Sequence, residues 1–245
     1  MSTTSPFDRE ISRYAGQLAR AIYVGTPPPF SKESIQHNAT MTLVKFPEVL
    51  VGVTCYHVFR KYVKLREQDL NPIFQIDRFP FDPIQHLIAQ DEKRDLATFD
   101  LSAFAGEAGG LNRASIIEPH RWPPRPVSEG DIVCLAGYPG IWRDQMSTHE
   151  LKLHSFSSGA TFVDSATGER FTVGVHTGDP VVTFKKKELG FLGGLSGGPA
   201  LCWRNDVILH AELVGFISDY HEEGDRMIVR AARVLNQDGT FQYLP

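Results

Sequence analysis

The chain has 245 residues, 42% of them hydrophobic and 22% charged, with a net charge of -4. That is ordinary globular composition, long enough for one large domain or two small ones. The charge balance gives no footing for a nucleic-acid partner. No stretch is long and apolar enough to span a bilayer, so no membrane partner is expected either.

The first segment reads as a helix. Ser5 can cap it, Pro6 suits its first position and Asp8 completes a capping-box pattern. Phe7, Ile11, Tyr14, Leu18 and Ile22 then follow helical spacing. Asp8, Arg9, Glu10 and Arg13 interrupt any apolar export signal, so the sequence reads as cytoplasmic. Gly25-Thr26-Pro27-Pro28-Pro29 ends this extension, residues 1–25.

Strand patterns follow. Residues 39–46 and 49–54 are β-prone runs joined at Pro47-Glu48, and 86–89 and 96–100 flank Asp95. The basic run from Arg60 to Arg66 reads as a solvated strand end, and Lys185-Lys186-Lys187 as a surface turn. Pro119, Pro123, Pro124 and Pro126 mark residues 118–130 as a linker between a first unit, 26–117, and a second, 131–245. Short strands are predicted at 131–136, 150–155, 160–163, 170–175, 181–184, 200–203, 207–218 and 227–231, with a short closing helix over 232–236. The class is all-β.

Three segments carry chemistry. They are Thr54-Cys55-Tyr56-His57-Val58, Arg94-Asp95-Leu96-Ala97 and Gly193-Gly194-Leu195-Ser196-Gly197-Gly198-Pro199. A serine hydroxyl is a poor nucleophile until a base takes its proton, and that base needs a third group to hold its tautomer. His57 is the candidate base and Ser196 the nucleophile. Asp95 is the orienting carboxylate, with Asp91 and Asp100 as competitors. Cys55 is a rival nucleophile in principle but reads as a packed strand residue.

These blocks resemble the active-site segments of the chymotrypsin/trypsin-like serine peptidases, closest to the bacterial Deg-type branch. The resemblance implies two antiparallel six-stranded β-barrels, plus the N-terminal helix and the short C-terminal one. His57 and Asp95 would come from the first barrel and Ser196 from the second. It also implies an oxyanion hole from the N–H groups of Gly194 and Ser196, with Gly197 and Gly198 leaving room for a substrate backbone. Secreted relatives often bridge strands where Cys134 and Cys202 stand, so that pair would sit within reach. In a reducing compartment all three cysteines are expected as free, buried thiols.

Two departures matter. Leu195 replaces the acid that receives a freed amino terminus in the digestive enzymes, so that activation switch is not expected. Gly190 replaces the aspartate that selects basic side chains, and its neighbours Leu189, Phe191 and Leu192 are apolar, which implies an uncharged residue on the acyl side of the cut. Phe216, Ile217 and Ser218 are candidates for the strand that pairs with substrate backbone.

The expected function is a serine endopeptidase acting on a protein or peptide substrate, with a regulatory protein partner as a further expectation and no cofactor. No metal is expected, since His149-Glu150 and His221-Glu222-Glu223 lack zinc spacing. Alternatives are a catalytically silent or latent binding module on the same fold, and a serine esterase. The α/β-hydrolase order of serine, acid, histidine fits poorly, because Gly198-Pro199 follows the serine where a helix should start.

Overall fold

In the computed structural model, residues 6–105, 111, 113–140, 142–174, 193–206, 208–221 and 225–242 are described. Helix α1 covers Pro6–Leu18 and buries Ile11, Ala15 and Leu18 on one side. The helical spacing predicted as far as Ile22 is overruled. Ala19–Gly25 forms strand β1, paired on both edges, and its Ile22-Tyr23-Val24 run suits a pleated, buried surface. Residues 19–25 therefore belong to the first sheet and not to the helical extension.

The first sheet holds β1, β2 (Gln36–Lys45), β3 (Leu50–Thr54), β4 (Ile73–Ile76), β5 (Phe79–Pro80), β6 (Leu87–Asp91), β7 (Leu96–Asp100) and β8 (Ile116–Ile117). Its order is β5-β4-β1-β2-β3-β7-β6, with β8 added parallel to β2. Among the described residues β5 and β6 do not pair, so this sheet is a half-barrel where a closed six-stranded barrel is expected. Helix α2, Tyr56–Glu67, packs against it through Val58, Phe59, Tyr62 and Leu65. The basic run assigned above to a strand end lies on this helix. Its apolar spacing of one, three and three residues is helical.

The second unit holds β9 (Ile132–Gly137), β10 (Arg143–Gln145), β11 (Leu151–Leu153), β12 (Phe156–Ser157), β13 (Thr161–Ala166), β14 (Arg170–Gly174), β15 (Pro199–Asn205), β16 (Leu209–His221) and β17 (Arg226–Ala231). Six of these close into a ring, β9-β13-β14-β17-β16-β15, sealed by pairing of Ala200, Leu201 and Cys202 with Leu135, Cys134 and Val133. Strands β10 and β11 form a separate hairpin. A 3₁₀ turn, Ala232–Val234, stands where a short closing helix is expected. The expected strand 181–184 and the Lys185–Lys187 run lie outside the described residues. The arrangement is mostly β, with one closed six-stranded barrel and one half-barrel where two closed barrels are expected.

Three apolar cores organise the molecule. One fills the closed barrel, with Leu135, Phe171, Leu195 and Val229. One lies between α2 and the half-barrel, with Phe59, Phe74 and Phe99. The third sits at the junction and mixes both halves with α1, joining Ile11, Leu18, Phe46 and Val53 to Cys134, Leu201 and Phe216. The proline-rich segment is strapped to the second unit. Arg125 pairs with Asp206, Arg204 donates to the carbonyls of Arg125 and Pro126, and Trp122 Nε1 donates to the Leu235 carbonyl. Among the described residues no helix is long and apolar enough to cross a membrane.

All three cysteines are free and buried. The expected proximity of Cys134 and Cys202 is corrected by register. Cys134 pairs with Leu201, and Cys202 with Val133. Neighbouring positions along a strand face opposite sides, so Cys134 enters the junction core and Cys202 the barrel core.

Phe216, placed above among substrate-strand candidates, is fully buried in the junction core. Phe216→Ala is expected to cost roughly 3–5 kcal/mol of stability, as truncation of a core aromatic does. Urea unfolding followed by fluorescence measures it, and an unchanged midpoint would contradict this placement.

Candidate active site

The site grows from the start of α2. The first amides of a helix have no partner within it, and a nearby carboxylate satisfies them while complementing the helix dipole. Cys55 is the N-cap but supplies no side-chain bond. Asp95 does so from the turn between β6 and β7. Its Oδ1 accepts from the His57 backbone N–H at 2.9 Å, and its Oδ2 lies 2.7 Å from His57 Nδ1. A carboxylate only accepts, so a ring hydrogen sits on Nδ1, and in the neutral imidazole Nε2 carries the lone pair.

Asp95 holds this pose at φ +56°, a left-handed conformation that aspartate tolerates better than most residues. Its competitors are occupied. Asp91 holds Arg94, accepting from the backbone N–H at 2.9 Å and the guanidinium at 2.7 Å, and Asp100 accepts from the Ser102 N–H at 2.9 Å.

The Ser196 turn is held from two sides. On one, the Thr40 N–H donates to the Ser196 carbonyl at 3.1 Å. Thr40 Oγ1 donates to the Gly194 carbonyl at 2.7 Å, and Thr42 Oγ1 to the Gly197 carbonyl at 2.8 Å. Thr54 Oγ1 ties Thr40's own carbonyl at 2.7 Å. On the other side, the Gly197 N–H donates to the Ile217 carbonyl at 2.7 Å, and the Ile217 N–H to Gly198 at 2.8 Å. Thr40, Thr42 and Thr54 are fully buried. Sequence patterning passes over them as ordinary strand residues; three threonines on inward-facing strand positions are the available signal.

Gly197 has φ +89°, and a Cβ there would meet the Thr40 carbonyl oxygen at 2.2 Å and Thr54 Oγ1 at 2.6 Å. The space it frees is filled by the chain's own strands β2 and β3, where room for substrate backbone is expected. Gly194 has φ +107°, and a Cβ there would meet the Tyr138 carbonyl oxygen at 2.5 Å. The carbonyl before it, on Gly193, accepts from the Gly140 N–H at 2.6 Å. Across a trans peptide the Gly194 N–H therefore points away from residues 138–140. Leu195 is buried in the barrel core.

Cys55 lies beneath these groups. Its thiol donates to the Ile217 carbonyl at 3.3 Å and interacts with both Asp95 and Ser196. Burial first, and then the Asp95 charge, push this thiol well above its ordinary value, so the sulfur keeps its proton and is no rival nucleophile. Among the described residues Cys55, His57 and Asp95 are the one group of three or more with metal-ligating atoms within 4.8 Å of one another. Its donors are already engaged with each other, and one is a protonated thiol.

The structure thus pairs His57 with Asp95 and brings the Cys55 sulfur against both Asp95 and Ser196. His57 Nε2 makes no hydrogen bond to Ser196. Of the substrate-strand candidates, Ile217 is engaged on both edges, by Val229 on one and by the Gly197–Gly198 turn on the other, while Ser218 is a bulge whose hydroxyl turns to the Ile228 carbonyl at 3.2 Å. Among the described residues, Ser218–His221 keep one edge of β16 open beyond the β15 pairing, so the free edge starts where Ile217 ends. Gly190 lies outside the described residues.

No family model matches the chain, and no curated protein matches it. Among solved structures it is similar to the active form of the Rv3671c protease from M. tuberculosis, at 14% identity and a TM-score of 0.47, over 94% of this chain and 84% of that one. The likeness is distant.

Iodoacetamide at neutral pH is expected to leave Cys55, Cys134 and Cys202 unmodified in the folded protein and to alkylate all three in guanidinium. Burial raises Cys134 to about 12 and Cys202 to about 11. Intact mass counts the adducts, and a folded-state adduct on Cys55 would overturn its assignment as a buried thiol.

Proposed function

We propose that the chain is a serine endopeptidase of the trypsin-like kind, with Ser196 as nucleophile, His57 as general base and Asp95 as its orienting carboxylate. The observation that carries this reading is the two-point grip of Asp95 on His57. One carboxylate fixes both the backbone and the ring of the histidine and leaves Nε2 as the acceptor.

In this reading Nε2 takes the Ser196 proton as Oγ attacks the scissile carbonyl. The imidazolium so formed lies against the Asp95 carboxylate, which stabilises the charge without taking the proton. Negative charge on the carbonyl oxygen is met by the N–H groups of Gly194 and Ser196, held still by the threonine bonds to Gly194, Ser196 and Gly197. The imidazolium then protonates the leaving amine. Water enters by the same route in reverse and frees Ser196. The open edge of β16 offers backbone groups to an extended substrate on the acyl side. An ester would follow the same path, so esterase activity comes with the peptidase chemistry.

The absence of a Ser196–His57 hydrogen bond favours a second reading, a latent or silent module that needs a bound partner to close the site. Catalytic hydrogen bonds often tighten only around substrate, so the active reading stands first.

Fluorophosphonate labelling separates the two. Wild type is expected to gain one adduct and Ser196→Ala none, with His57→Ala slowed by about 10³-fold or more. Gly194→Ala, which forces the turn off the Tyr138 carbonyl, is expected to lower peptide hydrolysis by roughly 10²–10³-fold. Absence of labelling in wild type would sink the active reading and leave the latent one.

A further inference from the structure

Arg94 stands next to Asp95 in the turn between β6 and β7, and it takes no part in the chemistry above. Among the described residues it is the most buried charged residue, 6% exposed. Two carboxylates reach it. Asp91 accepts from its backbone N–H at 2.9 Å and from its Nη1 at 2.7 Å, and Glu169 accepts from its Nη2. Asp91 therefore grips Arg94 by backbone and side chain together, as Asp95 grips His57.

The two partners come from different units. Asp91 ends β6 in the half-barrel. Glu169 stands in the turn between β13 and β14 of the closed barrel, 75 residues along the chain from Arg94. That turn is itself fastened. The Thr167 N–H donates to the Arg170 carbonyl at 2.7 Å, and the Ala231 N–H to the Glu169 carbonyl at 2.9 Å. Arg94 thus ties the turn that carries Asp95 to the barrel that carries Ser196.

Stability alone is a weak reason for a guanidinium in this place. Apolar side chains often replace a buried ion pair without loss, because desolvation offsets most of the attraction. What a planar fork between two carboxylates supplies is fixed geometry. Asp95 needs it. Its φ of +56° is a sparsely populated conformation that persists only where neighbours over-determine it. Its own amide donates to the Glu92 carbonyl at a long 3.2 Å. The Arg94 amide and guanidinium are both held, and the peptide joining the two residues is planar. On that side, only ψ of Arg94 and φ of Asp95 are left to aim the carboxylate. On the other side Leu96 pairs with Asp91 in the sheet.

We propose that Arg94 is a positioning residue. Its Asp91 arm holds the turn in the shape that aims Asp95 at His57. Its Glu169 arm sets that pair in register with Ser196 across the two units. This rests on the peptidase reading and adds to it an alignment device that touches neither substrate nor the reacting atoms.

The test has two readouts on the full chain. Nitrogen NMR shifts of the His57 ring report which nitrogen carries the hydrogen once the ring is neutral, and they need no turnover. Peptide hydrolysis gives kcat and KM separately. Wild type is expected to hold the hydrogen on Nδ1. Arg94→Met is expected to distribute it over both ring nitrogens. It is also expected to lower kcat by roughly 10- to 100-fold with KM within about twofold, since a small misplacement of catalytic groups has that effect. Arg94→Lys keeps the charge but loses the two-sided fork, and moves both readouts the same way by less. Glu169→Gln is expected to keep the wild-type tautomer and to lower kcat by about 10-fold. Arg125→Met breaks the strap pair with Asp206 and is expected to change neither readout.

A folded Arg94→Met protein that keeps either the Nδ1 tautomer or the wild-type kcat overturns the proposal and leaves a purely structural ion pair. If Arg94→Met does not fold, Arg94→Lys decides by the same criteria. An unchanged kcat in Glu169→Gln overturns the cross-unit arm. Should no peptide be cut by wild type, the peptidase reading fails by itself, and the tautomer alone decides whether Arg94 aims Asp95.

Discussion

The Ser196 turn depends on the seam between the two sheets. Three carbonyls, those of Gly194, Gly197 and Thr40, are satisfied by the hydroxyls of Thr40, Thr42 and Thr54, and the Ser196 carbonyl by the Thr40 amide. All three threonines are fully buried, and a buried polar group left without a partner costs about 1–3 kcal/mol. Separating the sheets would strand several such groups at once. The turn's shape is therefore set by the half-barrel as much as by the barrel that carries it.

A second economy lies at the start of α2. Asp95 answers a folding need, an unpartnered helix amide, with one oxygen, and a chemical need, a fixed imidazole, with the other. The positive φ of Asp95 is the backbone strain that this double contact sustains. Cys55 sits under the same groups as a small, protonated filler that reaches the Ile217 carbonyl and so connects α2 to β16.

Much of this was legible in the sequence, and for definite reasons. The blocks around His57, Asp95 and Ser196 carry their chemistry in short local patterns, and the structure pairs the first two directly. Other features were hidden because they depend on distant partners. Ile22 fits helical spacing and strand composition alike, and pairing with β2 and β4 decided for strand. Helix α2 showed its apolar spacing, yet its basic residues suggested a solvated edge. The half-barrel's open side, the opposite facing of Cys134 and Cys202, and the burial of Phe216 follow from register, which no single segment specifies.

The junction core carries a last consequence. Because α1 and both sheets contribute side chains to one continuous apolar cluster, each half adds to its own core an interior it shares with the other. The two cannot swing apart about a hinge without exposing Val53, Leu201 and Phe216 to water. A hinge between the two halves is therefore a costly way to open the site.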